Sequence, residues 1–380
     1  MKTEKRNISF SLLCIFCLLT LSGFAQDDLI SKVKIIEKIF DQPNIEYFGV
    51  TNMFGNIDVS YWDQKEVKMT ITIKVIAWEE EDADRFIEKV IPEISTIQDK
   101  KGYFDIYSAT DVSRIKNLCN CGDDEGKIYA PWFKKKARVK QYNVSYEVKL
   151  PATVNKIDFY NRYGDISIPD FEGNMSIQVT NGNLKTGKLK LENNEIGIRV
   201  RYGKVHIESI EKSKLNLYSC NDVNIGNLRN VNLTSKFSRV QIASCSGLVI
   251  NSKSDNLNIE SLESLNGKGD FTSLTIGKLD GSIDLSSKSG EIKIGQINPS
   301  FKYISLSGQF NDYILNLDNL NYSLSAELEF TDLESSETIY SEQKRKELIN
   351  SKASIKKQIG SQPNDSWVNL KCSNCNVVFK

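Results

Sequence analysis

Val205 to Ile259 reads VHIESIEKSKLNLYSCNDVNIGNLRNVNLTSKFSRVQIASCSGLVINSKSDNLNI. One phrase returns four times in it: Val205-His206-Ile207, Val223-Asn224-Ile225, Val240-Gln241-Ile242 and Leu257-Asn258-Ile259. It continues as Leu274-Thr275-Ile276 and Ile292-Lys293-Ile294, and an earlier copy stands at Ile166-Ser167-Ile168. From Val205 onward the first members are about 17 or 18 residues apart. A fixed period of this size is the signature of a solenoid, in which each repeat stacks on the last. A second phase lies between the first, at Ile177-Gln178-Val179, Leu215-Asn216-Leu217, Val231-Asn232-Leu233 and Leu248-Val249-Ile250 among others. Each turn therefore supplies at least two short strands. In each triplet the outer residues point inward and the middle one outward. Gly, Asn, Asp and Ser hold the corners, where left-handed backbone angles or side-chain-to-backbone bonds are wanted. The fold class that follows is mainly β, a parallel β-solenoid or β-helix.

The segment before the repeats is different. Val67, Met69, Ile71, Ile73 and Val75 alternate with polar residues, as in a half-buried strand. Ala83, Phe86, Ile87, Val90 and Ile91 then fall on one face of a helix. Glu79, Glu80, Glu81 and Asp82 precede that face, where acids complement the positive helix end. This strand-helix unit is the natural cap for one end of the coil, since exposed strand edges need a cover. The expected organisation is a signal peptide over 1–25, a capping unit over 26–150 with a polar insertion at 109–136, and repeats over 151–333. A charged excursion at 334–366 and a terminal strand segment at 367–380 complete it.

Lys2, Lys5 and Arg6 form a basic start, Ile8 to Leu21 an apolar run, and Gly23-Phe24-Ala25 a small-residue cleavage site. Cleavage after Ala25 is expected, with export to the periplasm, the cell surface or the medium. No later stretch is long and apolar enough to span a bilayer. The 380 residues carry 49 basic and 49 acidic side chains. Losing the basic start and Glu4 leaves a slight acidic excess, which argues against nucleic acid as a partner.

The chemistry-bearing residues are few. There is one histidine, His206, at an outward position. Gly-x-Ser-x-Gly and P-loop motifs are absent, and Gly267-Lys268-Gly269 lacks the strand-helix context of a dinucleotide loop. Asp158, Asp165, Asp284 and Glu291 are outward acids of the kind a β-helix polysaccharide enzyme would cluster. Outside the signal, six cysteines remain. Cys119, Cys121, Cys372 and Cys375 are candidate disulfide cysteines, with a four-thiolate zinc site as the rival reading. Lys134, Lys135 and Lys136 beside Trp132 and Phe133 read as a solvated loop edge. Tyr160, Tyr163, Tyr202, Tyr218 and Phe237 recur at repeat spacing, as an edge or as core or corner filler. No cofactor or metal is expected.

Asn52-Met53-Phe54-Gly55-Asn56-Ile57-Asp58-Val59 matches Asn161-Arg162-Tyr163-Gly164-Asp165-Ile166-Ser167-Ile168, and Arg201-Tyr202-Gly203-Lys204-Val205-His206-Ile207 is a third copy. In later turns Asp222, Arg239 and Asn256 are aligned with the glycine. After a signal peptide, this pattern resembles bacterial exported adhesin-like proteins of the single-stranded β-solenoid type. The resemblance covers most of residues 45 to 333 and implies a fold rather than a chemistry. It implies no catalytic residues. Gly55, Gly164, Gly203, Ile166, Ile168, Val205 and Ile207 are then structural repeat positions. The expected function is a non-catalytic exported scaffold presenting a polar face to a glycan or to an envelope or surface protein. A periplasmic stress or signalling accessory and a polysaccharide-active enzyme are the alternatives.

Overall fold

The computed structural model describes residues 29–42, 44–99, 103–110, 138–192, 197–335, 339, 351–360 and 365–380. The expected signal peptide, Cys119, Cys121 and the Lys134–Lys136 run lie outside the described residues. The chain is mainly β, with one short helix among the described residues, Glu80–Val90.

The repeated triplets are strands, and they pair in parallel with their counterparts one repeat away. Val205 faces Val223, which faces Val240, then Leu257, Leu274 and Ile292. The second phase stacks in the same way, with Leu215, Leu233 and Ile250 in one line. In both phases the outer residues are buried and the middle ones face out: Val240 and Ile242 are buried, and Gln241 is exposed. The register is fixed because a slip of one residue would turn every aliphatic side chain to solvent. Isoleucine, valine and leucine then form one continuous core along the stack.

The ladder starts earlier than residue 151. Ile45–Met53 pairs in parallel with Lys156–Arg162, and Ile57 faces Ile166. The Gly55 phrase is thus itself a turn of the stack, followed by a long detour before the next turn. The detour supplies the cover. Phe104–Ala109 pairs on the far side of Ile45–Met53. Val139–Pro151 pairs in parallel with Ile57–Trp62 and antiparallel with Val67–Ala77, which in turn holds Ile30–Phe40. Ala83, Phe86, Ile87 and Val90 of the helix are buried in this end of the core. Asp82, also buried, accepts from the Arg85 guanidinium at 2.6 Å and the Arg138 amide at 2.9 Å.

At the other end chain order breaks. Trp367–Ser373 inserts between Tyr303–Gln309 and Tyr322–Glu329, parallel to both. Lys352–Ile359, inside the charged segment, is a strand that runs antiparallel along Tyr322–Glu329.

Candidate functional site

Each turn contains a broad strand, a sharp corner and a shorter strand. At the corner one residue in each turn has a positive φ. In spatial order these are Phe54, Tyr163, Asn181, Tyr202, Ser219, Phe237, Ser254, Phe271, Ser289, Phe310, Asn374 and Phe330. Their φ angles lie between 47° and 61°. Each but the last donates its backbone N–H to the carbonyl of the residue just before the corner of the next turn, and Phe330 donates to Ser351. Examples are Tyr202 to Tyr218 at 3.0 Å and Phe237 to Lys253 at 3.1 Å. The same bond runs from Phe310 to Ser373 and from Asn374 to Glu329.

Gly55, Gly164 and Gly203 follow the left-handed residue and do not themselves occupy that region. The expected reason for the glycines is therefore corrected. A Cβ on Gly164 would run into the carbonyl of Gly55, and one on Gly203 into that of Gly182. The glycines are there for close approach of backbones, and the strained angle is borne by the aromatic residue before them. The expected alignment of later turns is corrected too. Cys220, Ser238 and Asp255, rather than Asp222, Arg239 and Asn256, continue the glycine column, because they directly follow Ser219, Phe237 and Ser254.

Those later turns replace close backbone contact with buried hydrogen bonds. Ser238 Oγ accepts from the Cys220 amide at 3.1 Å. Asp255 accepts from the Ser238 amide at 2.7 Å, the Lys253 amide at 3.1 Å and Ser252 Oγ at 2.6 Å. Burial pushes the Asp255 carboxyl above the usual carboxylate range, and these hydrogen bonds oppose it. Burial likewise pushes up the thiols of Cys220 and Cys245, which are free and buried. Such thiols are poor nucleophiles.

The broad strands carry the outward face. Its three outward columns are dominated by Asn, Ser, Thr, Lys and Arg, such as Asn232, Thr234 and Lys236 in one turn and Asp284, Ser286 and Lys288 in another. An open cleft of about 700 Å³ lies at its C-terminal end, lined by Gln309, Glu327, Glu329, Lys352 and Lys371. Lys352 and Lys371 pair there with Glu329 and Glu327, at 3.2 and 3.1 Å.

The expected site residues are dispersed. Asp158 and Asp284 share one outward column but stand seven strands apart, about 34 Å at the usual strand spacing. Asp165 and Glu291 are similarly remote, near the corner. The two carboxyls of a glycosidase lie within about 10 Å, so neither pair can act together. Burial pushes Asp158 up, against the Ser176 hydroxyl and Lys156. His206 is exposed. Cys372 and Cys375 are joined in a disulfide, which removes two thiolates from the rival zinc set. Among the described residues no cluster of His, Cys, Asp or Glu could hold a metal. No described helix is long and apolar enough to cross a membrane.

The aromatic residues divide in two. Phe54 and Tyr163, on adjacent turns, stack at 4.9 Å and are partly buried. Tyr202, Phe237, Phe271, Phe310 and Phe330 are 50–56% exposed. Tyr218 lies edge-on to Tyr202 at 5.5 Å and to Phe237 at 5.9 Å. Phe271, Phe310 and Phe330 were not legible as part of this column. Their turns lack the aromatic-Gly signal, and only the positive φ aligns them.

No family model matches the chain, and no curated protein matches it. Solved structures do. One, described as a putative adhesin from Bacteroides fragilis, is 15% identical with a TM-score of 0.28, over 74% of this chain and 96% of its own. A second so described, from Parabacteroides merdae, is 14% identical with a TM-score of 0.25, over 74% and 93%. A putative cell adhesion protein from Clostridium sporogenes is 10% identical with a TM-score of 0.17, over 93% and 100%.

Proposed function

We propose that the protein is an exported, non-catalytic β-solenoid scaffold of adhesin type. Its flat outward face holds an extended partner, a glycan or an envelope or surface protein. The parallel ladders at a step of one repeat support the solenoid reading, since each turn buries its aliphatic triplets only against its neighbours. The observation that carries the binding reading is the broad sheet itself. Its outward columns repeat polar and basic side chains along many turns, with the candidate carboxylates scattered. A surface of that shape offers many equivalent hydrogen-bonding positions in a line, which suits a long partner better than a small substrate, for which a concave pocket is the norm. The apolar sequence start supports export, to the periplasm or the surface.

Two measurements test this. Surface protease shaving with fractionation locates the protein, and arrays of glycans and purified envelope proteins probe its binding. The reading expects an extracytoplasmic location and retention on at least one extended partner. A cytoplasmic location, or silence on every array at saturating protein, would overturn it.

A further inference from the structure

The left-handed corner alternates in space between large rings and small polar side chains. From Tyr202 to Phe330 every second turn carries an aromatic, and Ser or Asn stands between. The order is spatial rather than sequential. Asn374 follows Phe330 in the chain, yet it lies between Phe310 and Phe330, because its strand inserts there. The alternation therefore survives a break in chain order, which a simple sequence repeat would not do.

Folding does not explain these rings. A bulky residue at positive φ is disfavoured where Asn or Gly would be at ease. Each of these residues is about half exposed, so burial compensates only in part. Rings on adjacent turns would cover one another, as Phe54 and Tyr163 do. Rings two strands apart, about 9.6 Å, keep their faces available. The neighbouring charges add a second observation. Between Tyr202 and Phe310 the row just before the corner carries Arg201, Lys236, Lys253 and Lys288, all exposed, with Asp270 the one acid among them; Glu329 stands in the same row before Phe330. None of these four cations makes an ion pair among the described residues.

Resting on the scaffold reading above, we propose that the corner from Tyr202 to Phe310 is a binding site for an extended anionic glycan. The rings stack on the apolar faces of alternate sugars, which in an extended β-linked chain face the same way at about the spacing of two strands. Arg201, Lys236 and Lys253 meet the carboxylate or sulfate groups. The run spans six strand steps, about 29 Å, enough for several sugars. A second copy of the chain interleaving its own rings is disfavoured, because it would set these cations against each other.

The purified protein is titrated with a hexamer of β-1,4-linked mannuronate and with cellohexaose, at low and high salt. Two double variants are compared: Phe237→Ser with Phe271→Ser, which copies the intervening turns, and Lys236→Gln with Lys253→Gln. The site predicts tighter binding of the uronate, weakened by added salt. The ring variant should lose at least tenfold in affinity with no fall in melting temperature. The lysine variant should bind the two hexamers about equally. Uronate binding untouched by either variant overturns this site. If the protein still holds other glycans or envelope proteins, the scaffold reading stands without it; if it holds nothing, both fall. A dimer that the ring variant dissolves, with no uronate bound, assigns the rings to a second copy and overturns the proposal.

Discussion

The side-chain amide of Asn161 donates to the carbonyl oxygen of Gly55 at 2.7 Å and to that of Asp165 at 3.0 Å. One buried asparagine thus closes its own corner and clamps it to the turn before. Asn52 repeats the arrangement one step back, donating to Val144 O at 2.7 Å and to Gly55 O at 3.2 Å. The Asn at the head of the first two phrases is a clamp; the third phrase has Val200 in its place and keeps the glycine without it. Replacing Asn161 with Ala leaves both carbonyls without this donor. We expect a loss of about 1–3 kcal/mol, read as a lower urea midpoint at unchanged m-value.

Gly164→Ala should be worse than its size suggests, since the added methyl meets the backbone of Gly55 and no side chain can swing aside. Roughly 1–3 kcal/mol is the expected cost. Gly269→Ala is the control. It also faces inward, but its nearest neighbour would be Thr272 Cβ at 3.6 Å, an ordinary contact. Thermal unfolding of the pair should show a clear fall for the first and little change for the second.

Ile242 is buried in the middle of the aliphatic column, facing Ile225 on one side and Ile259 on the other. Ile242→Ala should cost about 2–5 kcal/mol, and Ile242→Asp should prevent stable folding. A midpoint that barely moved would mean that the register is wrong.

These sites show how far the sequence reaches. The triplets at Val205, Val223 and Val240 announce their strands because inward and outward residues differ sharply in polarity at period two. The break near Trp367 was hidden, since polarity says which face a strand presents but not beside which strand it lies. The corner was half hidden. Gly55, Gly164 and Gly203 mark it only where two backbones touch. Where Ser238 and Asp255 take over, no glycine is needed, and the left-handed Phe271 or Phe310 looks like any exposed aromatic.

Asp255 gives a pH signature. Burial holds its carboxyl above the ordinary value in the folded chain, so the folded state binds its proton more tightly than the unfolded state. Its contribution is most favourable below the unfolded value, about 4, and is lost as pH rises through the raised folded value. Asp255→Asn should lack that step. The difference between the urea midpoints of the two proteins, followed upward from pH 3, should shift in favour of the variant as pH rises. A constant difference would mean that Asp255 titrates normally.

Phe271 bears a φ of 52° and is 53% exposed. Phe271→Asn should leave stability unchanged or raise it by up to about 1 kcal/mol, as the left-handed strain is relieved. Calorimetry would check this, and a marked fall would show that the ring is part of the packing after all.

The central claim is that this stack of turns holds a partner without changing it. The most direct measurement is to load the purified protein onto immobilised acidic and neutral polysaccharides, elute it, and assay the polysaccharide for new reducing or unsaturated ends. The account predicts retention, with the polysaccharide recovered intact. Release of new ends, or no retention on any of them together with silence toward envelope proteins, would contradict it.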